Sequence, residues 1–263
     1  MFSNILKQYR DETGLTQQEL VDNLNAYHSC FTKLDVVTLS RWENGKTLPP
    51  LKKQFIVYDY MKKLPYIINN ISYLNSYIEK SENNLFEIYK KNKIGNISSI
   101  AKLIIYRNNS DIEINFNTNK VDTINFINEY NDNIFIENKT LINKLESISW
   151  IIENDILGTL FHCNHNDSLV IFFMYAQTDC IYEYIYRYLY TKILESQLDY
   201  IIFYVFDDDI YQLMKKIGGE TIKSTRLSKC MVRRLIKFER IDLLSNKESL
   251  GYYHYILEKI DQT

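Results

Sequence analysis

The chain has 263 residues, of which 46% are hydrophobic and 24% are charged, with four cysteines and a formal net charge of −2. This composition excludes a disordered chain and a disulfide-dense secreted scaffold, and the length leaves room for two domains. No apolar run reaches the roughly 18 residues of a membrane span, and no secretory leader is evident. We therefore expect a cytoplasmic protein with reduced cysteines and no membrane contact.

Two short helices are predicted near the start of the chain. The first begins with a capping box, because Thr16 is a favourable N-cap residue and Glu19 follows three positions later. The second begins at the N-cap residue Asp35 and ends at Asn44 and Gly45, which form a C-cap signal. Apolar residues at helical spacing should give both helices a buried face; they are Leu20, Val21, Leu24, Val36, Leu39 and Trp42.

The segments Leu15–Gln17 and Ser40–Gly45 carry a resemblance to a known family. With them, about residues 2–61 resemble the XRE family of helix-turn-helix regulators, the fold of the lambdoid phage repressors and Cro. The resemblance implies an all-α N-terminal domain whose second motif helix enters the major groove of double-stranded DNA. Residues 25–34, between the two helices, are longer than the family's usual turn.

The same resemblance implies which side chains meet DNA and which are structural. Arg41 is expected to donate to guanine O6 and N7, while phosphate contacts position the domain. Trp42 is expected in the core, and Glu43 is expected to pair with Arg10. The predicted DNA-binding residues are Gln17, Val37, Thr38, Ser40, Arg41, Lys46 and Thr47.

The charge distribution favours binding as a dimer. Residues 1–66 carry nine Lys or Arg and seven Asp or Glu, so the rest of the chain has a net charge of −4. One copy of residues 1–66, which we call the head, offers few phosphate contacts, and we therefore expect a homodimer on an inverted-repeat operator. A nearly complete heptad pattern in residues 67–91 indicates either a dimer-forming helix or an amphipathic helix packed on its own domain; its positions are Ile71, Leu74, Ile78, Leu85 and Ile88.

The remaining sequence predicts an α/β domain. A domain boundary is expected near Tyr66. After it, the sequence indicates a strand at 112–116 and a helix at 121–130. The expected domains are a head (1–66), a helical linker or dimerisation helix (67–95) and an α/β domain (96–263). The clearest elements are a hairpin (158–163 and 169–175), a helix (181–196), a strand (200–206), a helix (210–216) and two strands from Thr221 onward.

In this order of elements, about residues 150–238 resemble the second half of a GNAT-type N-acetyltransferase. That family holds the acetyl-CoA pyrophosphate on a basic, glycine-rich turn at the start of the central helix. Here the turn is residues 177–180, without glycine, and Asp179 would repel phosphate. We therefore expect a GNAT-like, non-catalytic domain with no cofactor, so that the protein is not an enzyme.

Two further groups of residues were considered as sites. His162, Cys163, His165 and Asp167 share one hairpin, but strand alternation places His162 and Cys163 on opposite faces, so no metal site is expected. The stripe Tyr182, Tyr186 and Tyr190 is typical of a core or a subunit interface. An apolar pocket for a small-molecule effector, or a surface for a protein partner, is predicted around Tyr175, Tyr182, Phe203 and Tyr204.

These features favour a sequence-specific DNA-binding transcription regulator of bacterial or phage origin. Two other classes stay open. One is an N-acetyltransferase with a DNA-binding head, and the other is an antitoxin-type interaction protein whose C-terminal half grips a toxin.

Overall fold

The structure is a computed structural model that describes residues 1–70, 146–152, 155–176, 179–206, 208–226 and 232–260. The chain divides into two compact units, Met1–Lys80 and Ser81–Thr263. The predicted heptad positions, the strand at 112–116 and the helix at 121–130 lie outside the described residues. No helix in the described part of the chain is long and apolar enough to cross a membrane.

The N-terminal unit is helical throughout its described part. The last helix keeps Leu64, Ile67 and Ile68 fully buried, so the helical packing continues past the boundary expected at Tyr66. The elements are α1 (Phe2–Thr13), α2 (Gln17–Tyr27), a 3₁₀ turn (Ser29–Phe31), α3 (Val36–Glu43), α4 (Leu51–Tyr60) and α5 (Leu64–Asn69).

The N-terminal caps of α2 and α3 form as the sequence predicts. The Thr16 hydroxyl accepts the N–H of Glu19, and the Glu19 carboxylate accepts the N–H of Thr16, which completes the capping box. The Asp35 carboxylate accepts the Thr38 N–H at 2.7 Å. The Thr16 N–H lowers the pKa of Glu19, because it favours the charged form. The Thr38 side chain and then the Thr38 N–H lower the pKa of Asp35 in the same way.

The end of α3 is set by glycine. The N–H of Lys46 donates to the carbonyl of Arg41, and the N–H of Gly45 donates to the carbonyl of Trp42. This pair of bonds is a Schellman motif, which requires a left-handed residue after the helix. Gly45 supplies it with φ of 66°, a conformation that glycine adopts at little steric cost.

The C-terminal unit is α/β. In the described residues it contains one sheet with the strand order β1-β2-β3-β4-β6-β5, in which β3 and β4 are parallel and the other neighbours are antiparallel. Its elements are β1 (Glu146–Ile152), β2 (Asp155–His165), β3 (Ser168–Ala176), α6 (Asp179–Glu195), β4 (Tyr200–Val205), α7 (Asp208–Lys216), β5 (Glu220–Arg226), β6 (Val232–Glu239), α8 (Arg240–Ser245) and α9 (Lys247–Ile260).

The tyrosine stripe of α6 lies in the core of this unit. Tyr190 stacks on Tyr253 of α9 with ring centroids 4.1 Å apart, and its hydroxyl donates to the Leu244 carbonyl. Tyr186 meets Tyr252 edge to face, with the ring centroids 4.8 Å apart. The stripe therefore packs α6 against the C-terminal helices. The hydrogen bond of the buried Tyr190 hydroxyl also means that this polar group is not left unpaired in the core.

Candidate functional sites

The exposed surface of α3 carries the residues predicted to read DNA. Val37 is 58% exposed, although it is apolar, and Arg41 is also exposed. Thr38 is half-buried, and Ser40 is half-buried with its hydroxyl accepting a bond from the Asn44 amide. Lys46 and Thr47 lie exposed directly after the helix. An exposed valine beside an arginine suits a surface that meets thymine methyl groups and guanine edges.

A buried carboxylate holds the helices behind this surface together. Glu43 accepts a hydrogen bond from Arg10 Nε of α1 at 2.7 Å and one from Gln17 Nε2 of α2 at 2.6 Å. The Glu43 side chain is 3% exposed, so both contacts act away from solvent. The predicted pairing of Glu43 with Arg10 is present, and Trp42 is buried beside it. This network fixes α3 against α1 and α2.

Gln17 has a structural contact that the sequence did not predict. Its amide nitrogen donates to Glu43, so one of its two N–H groups is already used. A phosphate contact by Gln17 would therefore use the second N–H group. The bond would orient the amide before DNA arrives.

The connection between α2 and α3 is folded rather than loose. The His28 ring accepts the Cys30 N–H through Nδ1 at 3.0 Å, and the 3₁₀ turn follows. Phe31 is 1% exposed and meets Trp42 edge to face at 6.3 Å between ring centroids. Sequence reasoning missed this anchor, because a single phenylalanine in a polar loop has no periodic signal.

The second candidate site is the point in the sheet where backbone pairing between the two parallel strands ends. β3 and β4 pair from Ser168 opposite Tyr200 as far as Ile171 opposite Phe203. Both strands then continue, but the pairing ends at a bulge, where Phe172 is the extra residue of β3 opposite the step from Phe161 to His162. The described residues show no ladder between β3 and β4 beyond this bulge. Backbone pairing between the two strands therefore ends at this point, although the Phe172 and Tyr204 rings that follow it stay in contact.

Of the four residues predicted to line one pocket, the three with described side chains do not line a common one. Phe203 and Tyr204 are consecutive in β4, so they point to opposite faces of the sheet. Phe203 meets Phe238 edge to face, whereas Tyr204 lies against Phe172 with ring centroids 4.9 Å apart. Tyr182 is buried in a cluster of α6 and α9 side chains. Only the backbone of Tyr175 belongs to the described part.

The hairpin residues considered as metal ligands are also dispersed. His162 is fully buried under α6, where its ring stacks on Tyr188. Its Nδ1 lies 3.5 Å from Glu146, and burial lowers its pKa to about 4. Cys163 is buried on the opposite face of β2. Among the described residues, no three His, Cys, Asp or Glu side chains are grouped as metal ligands.

Comparison with known proteins finds matches among solved structures only. No family model matches the chain, and no curated protein matches it. The solved N-acetyltransferase from Staphylococcus aureus Mu50 is 10% identical, with 50% of this chain and 99% of that chain covered and a TM-score of 0.34. An acetyltransferase from Bacillus cereus ATCC 14579 is 16% identical over 48% of this chain and 96% of that chain, with a TM-score of 0.29.

A protein from Desulfovibrio desulfuricans that is assigned to the GNAT family of acetyltransferases is 5% identical. It covers 41% of this chain and 77% of its own, with a TM-score of 0.30. The C-terminal unit is α/β, and the described part of the N-terminal unit is helical. The prediction that the protein is not an enzyme is contradicted and is not retained, because many of the solved structures that match are described as acetyltransferases.

Proposed function

We propose that the protein is an acyl-CoA-dependent N-acyltransferase that carries a duplex-DNA-binding head. The observation that supports the transferase is the end of backbone pairing between β3 and β4 after Ile171 and Phe203. Backbone groups of a strand segment that has no neighbouring strand can bind the amide groups of an extended ligand in the way that an added strand does. The pantetheine arm of an acyl-CoA is such a ligand.

The reaction follows from the chemistry of a thioester. The nitrogen of the acceptor amine attacks the thioester carbonyl, the C–N bond forms and the C–S bond breaks. The proton lost by the amine balances the thiolate that leaves as free CoA. The amine has to be neutral to attack, so transfer should rise with pH through the pKa of the acceptor.

The phosphates of the ligand would lie near the start of α6. This helix begins at Asp179, three residues after β3 ends, and a helix N-terminus attracts anions. The acidic side chain at that position opposes an anionic ligand. We expect Asp179→Asn to tighten acetyl-CoA binding several-fold, whereas Asp209→Asn in the first turn of α7 should leave it unchanged.

Calorimetry on the full chain with acetyl-CoA tests the proposal, together with release of free thiol in the presence of amines. Binding in the micromolar range and thiol release with a polyamine or peptide amine are expected. No heat at millimolar acetyl-CoA would overturn the transferase proposal. An Asp179→Asn variant that binds no more tightly would remove α6 as the phosphate site.

The exposed face of α3 supports the DNA-binding part of the proposal. Selection of duplexes by the full chain should yield an inverted repeat whose half-sites are about 10 bp apart, or a multiple of that spacing, bound by a homodimer. Arg41→Ala should lose sequence preference at a cost of about 1–3 kcal/mol per half-site. Lys46→Ala should instead weaken binding to all sequences alike.

The controls separate these effects. Arg41→Ala must keep the helical circular dichroism of the wild type, since Arg41 is exposed and contributes nothing to the core. Unchanged footprints and affinity in Arg41→Ala would show that α3 does not read the bases. A monomer by light scattering, both free and on DNA, would contradict the dimer.

A further inference from the structure

The connection between α2 and α3 presents a cationic surface that is held rigidly. Phe31 fastens it to the core through Trp42, and the N–H of Leu34 returns to the carbonyl of Phe31. The two residues between Phe31 and Leu34, which are Thr32 and Lys33, are exposed. Because the chain is fixed on both sides of them, these side chains project from a defined position rather than from a mobile loop.

A second ammonium group lies at the same anchor. Lys53 of α4 places Nζ 5.9 Å from the centroid of the Phe31 ring, over its face. The segment from 28 to 34 contains no acidic residue. Thr32 and Lys33 directly follow Phe31 in the chain, and Lys53 lies over the Phe31 ring. We group these three residues, a hydroxyl and two positive charges around Phe31, as the connection patch.

The first acidic residue after the patch is Asp35, and its carboxylate is occupied as the cap of α3 by the Thr38 N–H. A negative charge at the start of a helix that enters a groove would repel the nearby phosphates. Lys33, two residues earlier, offsets that charge. The patch is thus placed at the end of α3 that carries Val37 and Thr38, beside the surface proposed to meet the bases.

We propose that the connection patch binds the phosphate backbone of duplex DNA on the strand beside the groove that α3 enters. This inference rests on the proposed DNA binding of the N-terminal unit and adds a contact outside the recognition helix. Lysine acts on phosphate as a point charge and carries no base pattern, so the contact adds affinity without sequence preference. The long connection thereby extends the phosphate footprint of a head that has few cations.

The test measures the affinity of the full chain for its selected duplex and for a scrambled duplex between 50 and 300 mM salt. Loss of one phosphate contact should reduce the slope of log affinity against log salt by about 0.9 for each half-site. For Lys33→Ala this corresponds to about a fivefold to tenfold loss per half-site at 0.1 M salt. The loss should be equal for the two duplexes, and the Lys33→Ala, Lys53→Ala double variant should lose a second contact.

Lys7→Ala is the matched control. Lys7 lies exposed on α1 beside Asp11 and Glu12, which would oppose a phosphate there, so its loss should leave the salt slope unchanged. A wild-type slope in Lys33→Ala would overturn the connection patch, as would a loss confined to the selected duplex, which would indicate base contact. Failure of the wild-type chain to bind any duplex would instead overturn the proposed DNA-binding function.

Discussion

Replacing His254 with phenylalanine is expected to remove much of the acid sensitivity of the C-terminal unit. His254 lies on α9 with 1% of its surface exposed, and neither ring nitrogen has a hydrogen-bond partner among the described residues. Burial lowers its pKa from 6.5 to about 4, because a charged imidazolium loses its hydration there. Phenylalanine keeps the ring volume and removes the titratable group.

The sign of the effect follows from proton linkage. The unfolded chain binds a proton as the pH falls through 6.5, whereas the folded chain resists protonation until about pH 4. The stabilisation is therefore complete above the unfolded pKa and is lost as the pH falls toward the folded pKa. Between pH 7 and pH 5 one such histidine costs about 2 kcal/mol of unfolding free energy.

Fluorescence can isolate the unit concerned. The chain has two tryptophans, Trp42 in α3 and Trp150 in β1, so a Trp42→Phe background leaves a signal from the C-terminal unit alone. Urea unfolding gives the difference in unfolding free energy between pH 7 and pH 5, and this difference should be about 2 kcal/mol smaller in His254→Phe than in the background protein. His162→Phe should shrink it by a similar amount, since burial also lowers the pKa of His162 to about 4.

The control is Leu250→Ala, one turn earlier on α9 and fully buried. It should lower the unfolding free energy by about 2–5 kcal/mol at both pH values, because a cavity does not titrate. If His254→Phe keeps the wild-type difference between pH 7 and pH 5, the reasoning from burial fails.

Three further changes test the packing. Gly219→Ala should lower the unfolding free energy of the C-terminal unit by about 3 kcal/mol or more in urea. The added Cβ would lie 2.5 Å from Ile236 Cγ2 and 2.8 Å from the Met214 carbonyl oxygen. Gly14→Ala is the control: the added Cβ meets open space, so only the φ of 70° opposes it, and the cost should be about 1 kcal/mol. Glu43→Ala should lower the unfolding free energy of the N-terminal unit by about 3 kcal/mol, measured by Trp42 fluorescence in a Trp150→Phe background. A double-mutant cycle with Arg10→Ala should show that the two effects are strongly coupled. Tyr190→Phe should cost about 1 kcal/mol, since only the bond to Leu244 is lost and the stack on Tyr253 remains; a loss as large as that of Tyr190→Ala would contradict this assignment.

The sequence by itself determined the local structure wherever a short-range signal was present. The capping box at Thr16, the cap at Asp35 and the glycine stop at Gly45 set the ends of α2 and α3, because each acts within one helical turn. In the C-terminal half, the β2–β3 hairpin and the helix and strands that follow it are confirmed to within a few residues. Periodicity and turn residues carry this information without reference to the rest of the chain.

Only the tertiary structure decided the features that depend on distant partners. β1 alternates polar and apolar residues only over 147–150, too short a run to predict a strand, and it exists by pairing with β2. α8 and α9 were not predicted, although Asn246 accepts the N–H groups of Glu248 and Ser249 at the start of α9. Three such features depend on residues that are far apart in sequence: the point where pairing between β3 and β4 ends, the bond from Gln17 to Glu43, and the contact of Phe31 with Trp42. Such contacts depend on packing and register, which no local pattern encodes, and they are the contacts on which both candidate sites rest.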